Sequence, residues 1–215
     1  ELNGAYVNVS QKTPDDPFNF QFLIDAFASD TTEETSSSSM KIAINDINIT
    51  DSRIHYNVLS EPETPGLFNP YHISVSNFTS HLKLPSLDVA DLQAEILSLS
   101  LQENSGLSVK NIEAVFRSKD TKFWSEKLKI ELPYSELQAD SLEYNLLNSR
   151  FLLKGNFLLV PSEMALFMAE LNQLNDTIKA QTRISGKLPA IYLDTLLLTY
   201  GDKMALDGSA YIDDY

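Results

Sequence analysis

Apolar side chains along this chain recur mostly at every second position. Ile42 and Ile44, Ile47 and Ile49, then Ile54, Tyr56 and Val58 show the pattern, as do Ile73 and Val75. Leu97, Leu99 and Leu101, Leu107 and Val109, Leu128, Ile130 and Leu132, and Ile191 and Leu193 continue it, with Ser, Thr, Asn and Asp between. Alternation over short runs predicts half-buried antiparallel strands with one wetted face. The fold class expected is mainly β: an elongated, antiparallel, curved sheet with one or two short helices.

Two segments break the alternation. After Asp15-Asp16-Pro17, the residues Phe20, Leu23, Ile24 and Phe27 sit at i, i+3, i+4 and i+7. Asp16 is placed to cap a helix there and Pro17 suits its first turn, while a strand through Phe18, Phe20 and Phe22 competes. The second segment follows Pro161, where Met164, Phe167, Met168, Leu171 and Leu174 form one apolar stripe without β-branched residues. A helix over residues 162–174, capped by Ser162, is predicted, packed at an end of the sheet or over an opening. Its methionines suit an adaptable lipid or peptide surface and equally suit ordinary core filling.

Several strands share the form apolar, any, apolar, any, small polar, apolar. Examples are Ile42 to Ile47, Ile73 to Phe78, Leu87 to Leu92, Leu107 to Ile112, Leu137 to Leu142 and Ile191 to Leu196. One extra residue in a strand is a β-bulge, which bends the strand while keeping apolar side chains on one face. A template this loose recurs by chance about as often at this composition, so the tally carries no weight by itself.

The stretch from Ser29 to Ser39 holds no apolar residue and predicts a mobile loop inside a single domain spanning 1–215. Glu61 to Gly66, with prolines at 62 and 65, predicts a rigid turn between two strands.

Charge narrows the function. With 30 acidic against 16 basic residues in 215, the net charge is -14. That argues against nucleic acid, because phosphate binding needs a net basic face. No window is apolar enough for a membrane span, and no signal segment opens the chain. The start at Glu1, without Met, suggests a mature product or a piece of something longer. The absence of Cys removes disulfides and thiolate catalysis. His55, His72 and His81 fall on separate strands without a ligand-like spacing, and no nucleophile elbow, zincin, Walker or dinucleotide motif is present. Neither catalytic nor metal residues are predicted, nor a cofactor; the chain reads as a non-enzyme. The one basic stretch, Arg117, Lys119, Lys122, Lys127 and Lys129 around Trp124, reads as a charged hairpin tip. The N-x-[ST] triplets at Asn8, Asn48, Asn77 and Asn175 are expected by chance in a chain this rich in Asn, Ser and Thr.

The order of segments adds a resemblance. Phe18 to Phe27 followed by a polar loop, then Met40-Lys-Ile-Ala-Ile-Asn-Asp-Ile-Asn-Ile-Thr-Asp-Ser-Arg-Ile-His-Tyr56, resembles the AsmA/TamB family of bacterial envelope proteins. Leu97 to Ile112 resembles that family's strand–turn–strand unit. Pro161 to Leu174, Ile184-Ser-Gly-Lys-Leu188 and Leu198 to Ala210 resemble its later helix and Gly-punctuated hairpin. The likeness covers nearly the whole chain through soft patterns of apolar alternation; the acidic Ser/Thr loop at 29–39 departs from it. It implies a β-groove (β-taco) protein of the periplasm and cell envelope, anchored in the inner membrane, of which this chain is an internal fragment. Its implied partners are phospholipid or the outer-membrane assembly machinery.

Apolar positions expected to line such a groove are Ile42, Ile44, Ile47, Val75, Phe78, Leu99, Leu107, Val109, Ile130, Leu142 and Leu193. They should point to one concave side, partly roofed by the segment carrying Met164 and Met168 and partly open, with Val109 and Ile44 in the open part. The competing expectation is a β-sandwich adhesin or scaffold, extracellular or periplasmic, that binds protein or glycan. A sandwich seals its apolar faces against each other, whereas a groove leaves one open.

Overall fold

The alternation becomes strands almost everywhere it occurs. The computed structural model describes residues 1–22, 44–86, 91–187 and 190–213, and 64% of these are in strands. The strands are β1 (Leu2–Asn3), β2 (Tyr6–Gln11), β3 (Ile44–Val58), β4 (His72–Ser86), β5 (Gln93–Glu103), β6 (Ser108–Val109) and β7 (Asn111–Lys119). Then come β8 (Lys122–Glu131), β9 (Glu136–Asn145), β10 (Arg150–Leu159), β11 (Ile178–Lys187), β12 (Ala190–Tyr200) and β13 (Met204–Ile212). They form one long, open, curved sheet. Its order is β1-β3-β4-β5-β7-β8-β9-β10-β11-β12-β13, with β2 also on β3 and β6 also on β5.

From β3 onward every pairing is antiparallel, and nearly all successive strands are neighbours. The first edge corrects the antiparallel expectation: β1 and β2 pair with β3 in parallel. Alternation carries no information about strand direction. A parallel neighbour cannot be joined by a hairpin and needs a long connection, as between β2 and β3.

The bulge template coincides with real irregularities wherever it lies in described residues. The register shifts between Ile44 and Ile47, between Ser76 and Thr79 opposite β5, and opposite Asp140 and Asp194. Lys110 separates β6 from β7 and donates its N–H to Glu131 O at 2.8 Å. Asn77 takes the positive φ of 52° that Asn tolerates better than most residues. The Leu87 to Leu92 example lies mostly outside the described residues.

Buried hydroxyls support these bends, and sequence reading gave no reason to single them out. Ser125 Oγ donates to Lys127 O at 2.8 Å, and Thr182 Oγ1 donates to Thr195 O at 2.9 Å. Ser52 Oγ donates to Thr50 O at 3.1 Å and accepts the Ala5 N–H at 3.1 Å. Each satisfies a backbone group at or beside an irregularity of the ladder. That matters because an unmet buried polar group costs about 1–3 kcal/mol. Among the described residues one buried hydroxyl, Ser80 Oγ, has no partner. Ser80→Ala is therefore expected to raise stability by about 1 kcal/mol, read as a higher midpoint of urea unfolding at unchanged slope.

The helix expected over 162–174 is not continuous. One α-helical turn, α1 (Pro161–Met164), is followed by a non-helical stretch and a 3-10 turn at Ala169–Gln173. Met168 between them is extended, with φ -148° and ψ 101°. Val160, not Ser162, occupies the N-cap, without a side-chain hydrogen bond. Isolated helices of this length are marginal, and here the segment is anchored residue by residue rather than along a stripe. Leu166 O accepts the Phe68 N–H at 2.8 Å, the Phe68 and Phe167 rings meet at 5.1 Å, and Glu163 accepts the Tyr134 N–H at 3.2 Å. All these contacts lie at one end of the strands, so the segment sits on that end.

Asp16 does not cap a helix either. Its carboxylate accepts the Thr13 N–H at 3.0 Å and the Thr13 hydroxyl at 2.8 Å, closing a turn. Most of the helix expected up to Phe27, and all of the loop expected at 29–39, lie outside the described residues. The turn expected at 61–66 lies in the connection between β3 and β4.

Candidate functional site: one apolar face across the sheet

Cross-strand partners in a sheet share a face, so register assigns every side chain to one of two sides. Starting at Ile54, the partners run to Val75, and Phe78 follows opposite Ser52 across the bulge. Leu82 pairs with Ile47 on one side and Ile96 on the other, and Ile96 leads to Ala114. Ala114 pairs with Leu128, Leu128 with Ala139, and Ala139 with Gly155. Gly155 pairs with Thr182, Thr182 with Leu196, and Leu196 with Gly208. Rows on either side are as apolar. Ile112, Ile130, Leu137, Phe157, Ala180, Leu198 and Leu206 form one of them.

Register places several of the positions predicted from sequence on this face. Ile47, Phe78, Leu99, Ile130, Leu142 and Leu193 are half-buried there. Val75 and Val109 are on the same face but buried, each 7% exposed. This corrects the expectation for Val109: it pairs with Leu101 and is buried, not an open position. Leu107 is half-buried in the turn after β5, where its carbonyl accepts the Glu103 N–H at 2.8 Å. Ile44 stands opposite Leu84 in register, and Ile42 lies outside the described residues. Met164 is half-buried and Met168 is 56% exposed, both on the end segment and not in a helix spanning the face.

Few of these side chains are covered. Among the described residues the buried aliphatic ones are Val58, Val75, Val109, Ala114, Leu132, Ala139 and Ala165, none larger than Leu. The extensive contacts between described elements are those of neighbouring strands and of α1 with the 3-10 turn that follows it, so no described element packs as a second layer over the face. A protein of this size ordinarily buries large aliphatic and aromatic side chains in a packed interior. Among the described residues, most of the Leu, Ile and Phe side chains of one face are shielded only by their neighbours in the same sheet.

The opposite face is polar and charge-paired. Arg117 Nε lies 3.0 Å from Glu126, Lys122 Nζ 2.8 Å from Glu143, and Arg183 Nε 3.5 Å from Asp194. Lys127 pairs with Glu113 and Lys129 with Glu131. The hydrogen bond and charge of Lys127 hold the Glu113 carboxyl below its usual range, against a smaller opposing effect of desolvation. The basic stretch around Trp124 is thus a hairpin, β7–β8, whose cations are largely spent on carboxylates across the strands. Pairs this exposed contribute little stability, and they keep this side of the sheet wet.

The histidines are also accounted for locally. His72 Nε2 is 2.8 Å from Glu61 O, His55 lies against the Tyr6 ring at 5.4 Å, and His81 pairs with Asp46. No group of three or more His, Asp or Glu that could hold a metal occurs among the described residues. No described helix is long and apolar enough to cross a membrane. No protein-family model, no curated protein and no solved structure matches this chain.

Proposed function

We propose that this chain shelters the acyl chains of phospholipid on its open apolar face, as a segment of an envelope-biogenesis protein that passes lipid across the periplasm to the outer membrane. One observation carries the reading: register gathers apolar residues from every long strand onto one face that no described element covers. An exposed apolar surface on this scale marks a site for lipid or for a partner. Its dimensions suit lipid. Eleven strands on the sheet path, spaced about 4.8 Å apart, make a face roughly 48 Å long. The hydrocarbon half of a bilayer is only about 15 Å thick. Each sheltered methylene offsets about 0.8 kcal/mol of the cost of taking an acyl chain out of a bilayer into water. The resemblance to the AsmA/TamB family points the same way. The sandwich alternative loses ground, because the described strands form a single sheet rather than two packed against each other.

Native mass spectrometry of the purified chain is expected to show co-purified phospholipid. Leu142→Glu and Leu193→Glu, both at half-buried positions of the face, should deplete it while the strand signal in circular dichroism persists. Lipid-free wild-type protein from a lipid-replete host, or lipid retained by both variants, would count against the reading.

A further inference from the structure

The hairpin between β9 and β10 holds two leucines at its tip. Turns are ordinarily built from Gly, Asn, Asp, Ser or Pro, and here Asn145, Asn148 and Ser149 build one. Asn145 Oδ1 accepts the Leu147 N–H at 2.9 Å, Asn148 Oδ1 accepts the Arg150 N–H at 3.1 Å, and Ser149 takes the positive φ of 54°. The turn uses only the backbone of Leu146 and Leu147, whose side chains are 54% and 81% exposed. Leu147 is the most exposed large apolar side chain among the described residues. The tip is tethered, because the Leu146 N–H donates to Thr121 O in the neighbouring β7–β8 turn at 2.9 Å. Both strands of the hairpin lie inside the sheet path, with β8 on one side and β11 on the other.

Cations flank the two leucines. Register aligns Lys119 with Lys122, Lys122 with Asn145, Asn145 with Arg150, and Arg150 with Lys187. The row crosses β7 to β11, about 19 Å at the usual strand spacing, and its four cations are exposed. Lys122 lies 2.8 Å from Glu143. None of the ion pairs among the described residues involves Lys119, Arg150 or Lys187. Asp120 is the one acidic residue in the two turns. The chain as a whole carries a charge of -14, but at physiological ionic strength a surface charge acts over only about 8 Å. Local charge therefore governs what this tip meets.

Adjacent exposed leucines beside free cations fit a bilayer surface: the leucines enter the headgroup boundary and the cations meet phosphates. A nucleic acid or an acidic peptide would use the cations and leave both leucines in water. We propose that the β9–β10 tip docks this chain on a bilayer containing anionic phospholipid, with Leu146 and Leu147 entering the headgroup layer. The docking does not depend on the apolar face sheltering acyl chains.

The chain has no Cys, so a single introduced one can carry an environment-sensitive fluorophore. Attached at Thr121→Cys, beside the tip, the label should brighten on vesicles of phosphatidylcholine and phosphatidylglycerol in equal parts. It should stay dim on phosphatidylcholine alone and in high salt. A label at Asp202→Cys, exposed in the turn at the other end of the strands, should not respond. In flotation with the anionic vesicles, Leu146→Ser with Leu147→Ser should weaken binding roughly tenfold at unchanged strand content, and so should Arg150→Glu with Lys187→Glu. Leu142→Glu, on the apolar face, should bind as wild type does. No binding to the anionic vesicles, equal binding to both kinds, or undiminished binding by the double leucine variant overturns the proposal. So does loss of binding in Leu142→Glu, which would place the contact on the apolar face, or a Thr121→Cys label that brightens with protein concentration alone, which would place a second copy at the tip.

Discussion

Val75→Glu is expected to abolish cooperative folding near neutral pH, the largest effect of any single substitution on the apolar face. Val75 is 7% exposed and stands opposite Ile54 on β3 and Glu103 on β5. Glu103 is itself buried, at 5% exposure, with its carboxylate accepting the Ser105 N–H at 2.8 Å and the Ser74 N–H at 3.3 Å. A second carboxylate in that place has no cation to pair with and a like charge beside it. Burying an unpaired charge costs about 3–5 kcal/mol, a large part of the 5–15 kcal/mol that holds a typical domain together. Protonation relieves the penalty, so the variant should regain stability as pH falls, the opposite of ordinary acid denaturation. Leu206→Glu is the control: its side chain is 49% exposed on the same face, and its melting temperature should stay close to wild type. Equal collapse of both variants would show that the face is sealed, and would remove the physical basis for a lipid surface.

Gly155→Ala should cost about 3 kcal/mol, the upper range for forcing extra atoms into a filled site. Gly155 lies opposite Ala139 where the β9–β10 register shifts to pass Asp140. A Cβ on Gly155 would come within 2.5 Å of Gln138 O and 3.2 Å of Ala139 Cα. Both are backbone atoms, so relief requires the strands to part. Gly208, in the same row on the edge strand, has nothing within 4 Å of such a Cβ, and Gly208→Ala should be nearly neutral. Thermal or urea unfolding of the two variants tests whether the bulge, and with it the bend of the sheet, depends on this close approach.

Much of the fold was legible because a strand exposed on one face writes its period directly into the chain. The six-residue template even located bulges, at Asn77, Lys110, Asp140 and Asp194, although its frequency carried no information. What alternation left unread were the hydroxyls of Ser52, Ser125 and Thr182, since a serine in an apolar-parity position looks like noise until the carbonyl it satisfies is visible. The segment after Pro161 was misread for a related reason. Met164, Phe167, Met168, Leu171 and Leu174 do have helical spacing, but spacing specifies a helix only when one surface receives the whole stripe. Here Phe68 and Tyr134 hold the chain at separate points, and it bends between them.

Sequence alone determined the strands and the side on which each apolar residue falls within its strand, and its lack of Cys removed thiol chemistry. Those properties follow from local periodicity and composition. Only the tertiary structure decided that the strands join into one sheet, that the first two run parallel to their neighbour, and that Val75 and Val109 are buried while Leu206 is open. Those depend on register and on what lies at the ends and edges of the sheet. Alternation has a period of two in every strand, whichever neighbour it meets and whether or not anything covers it.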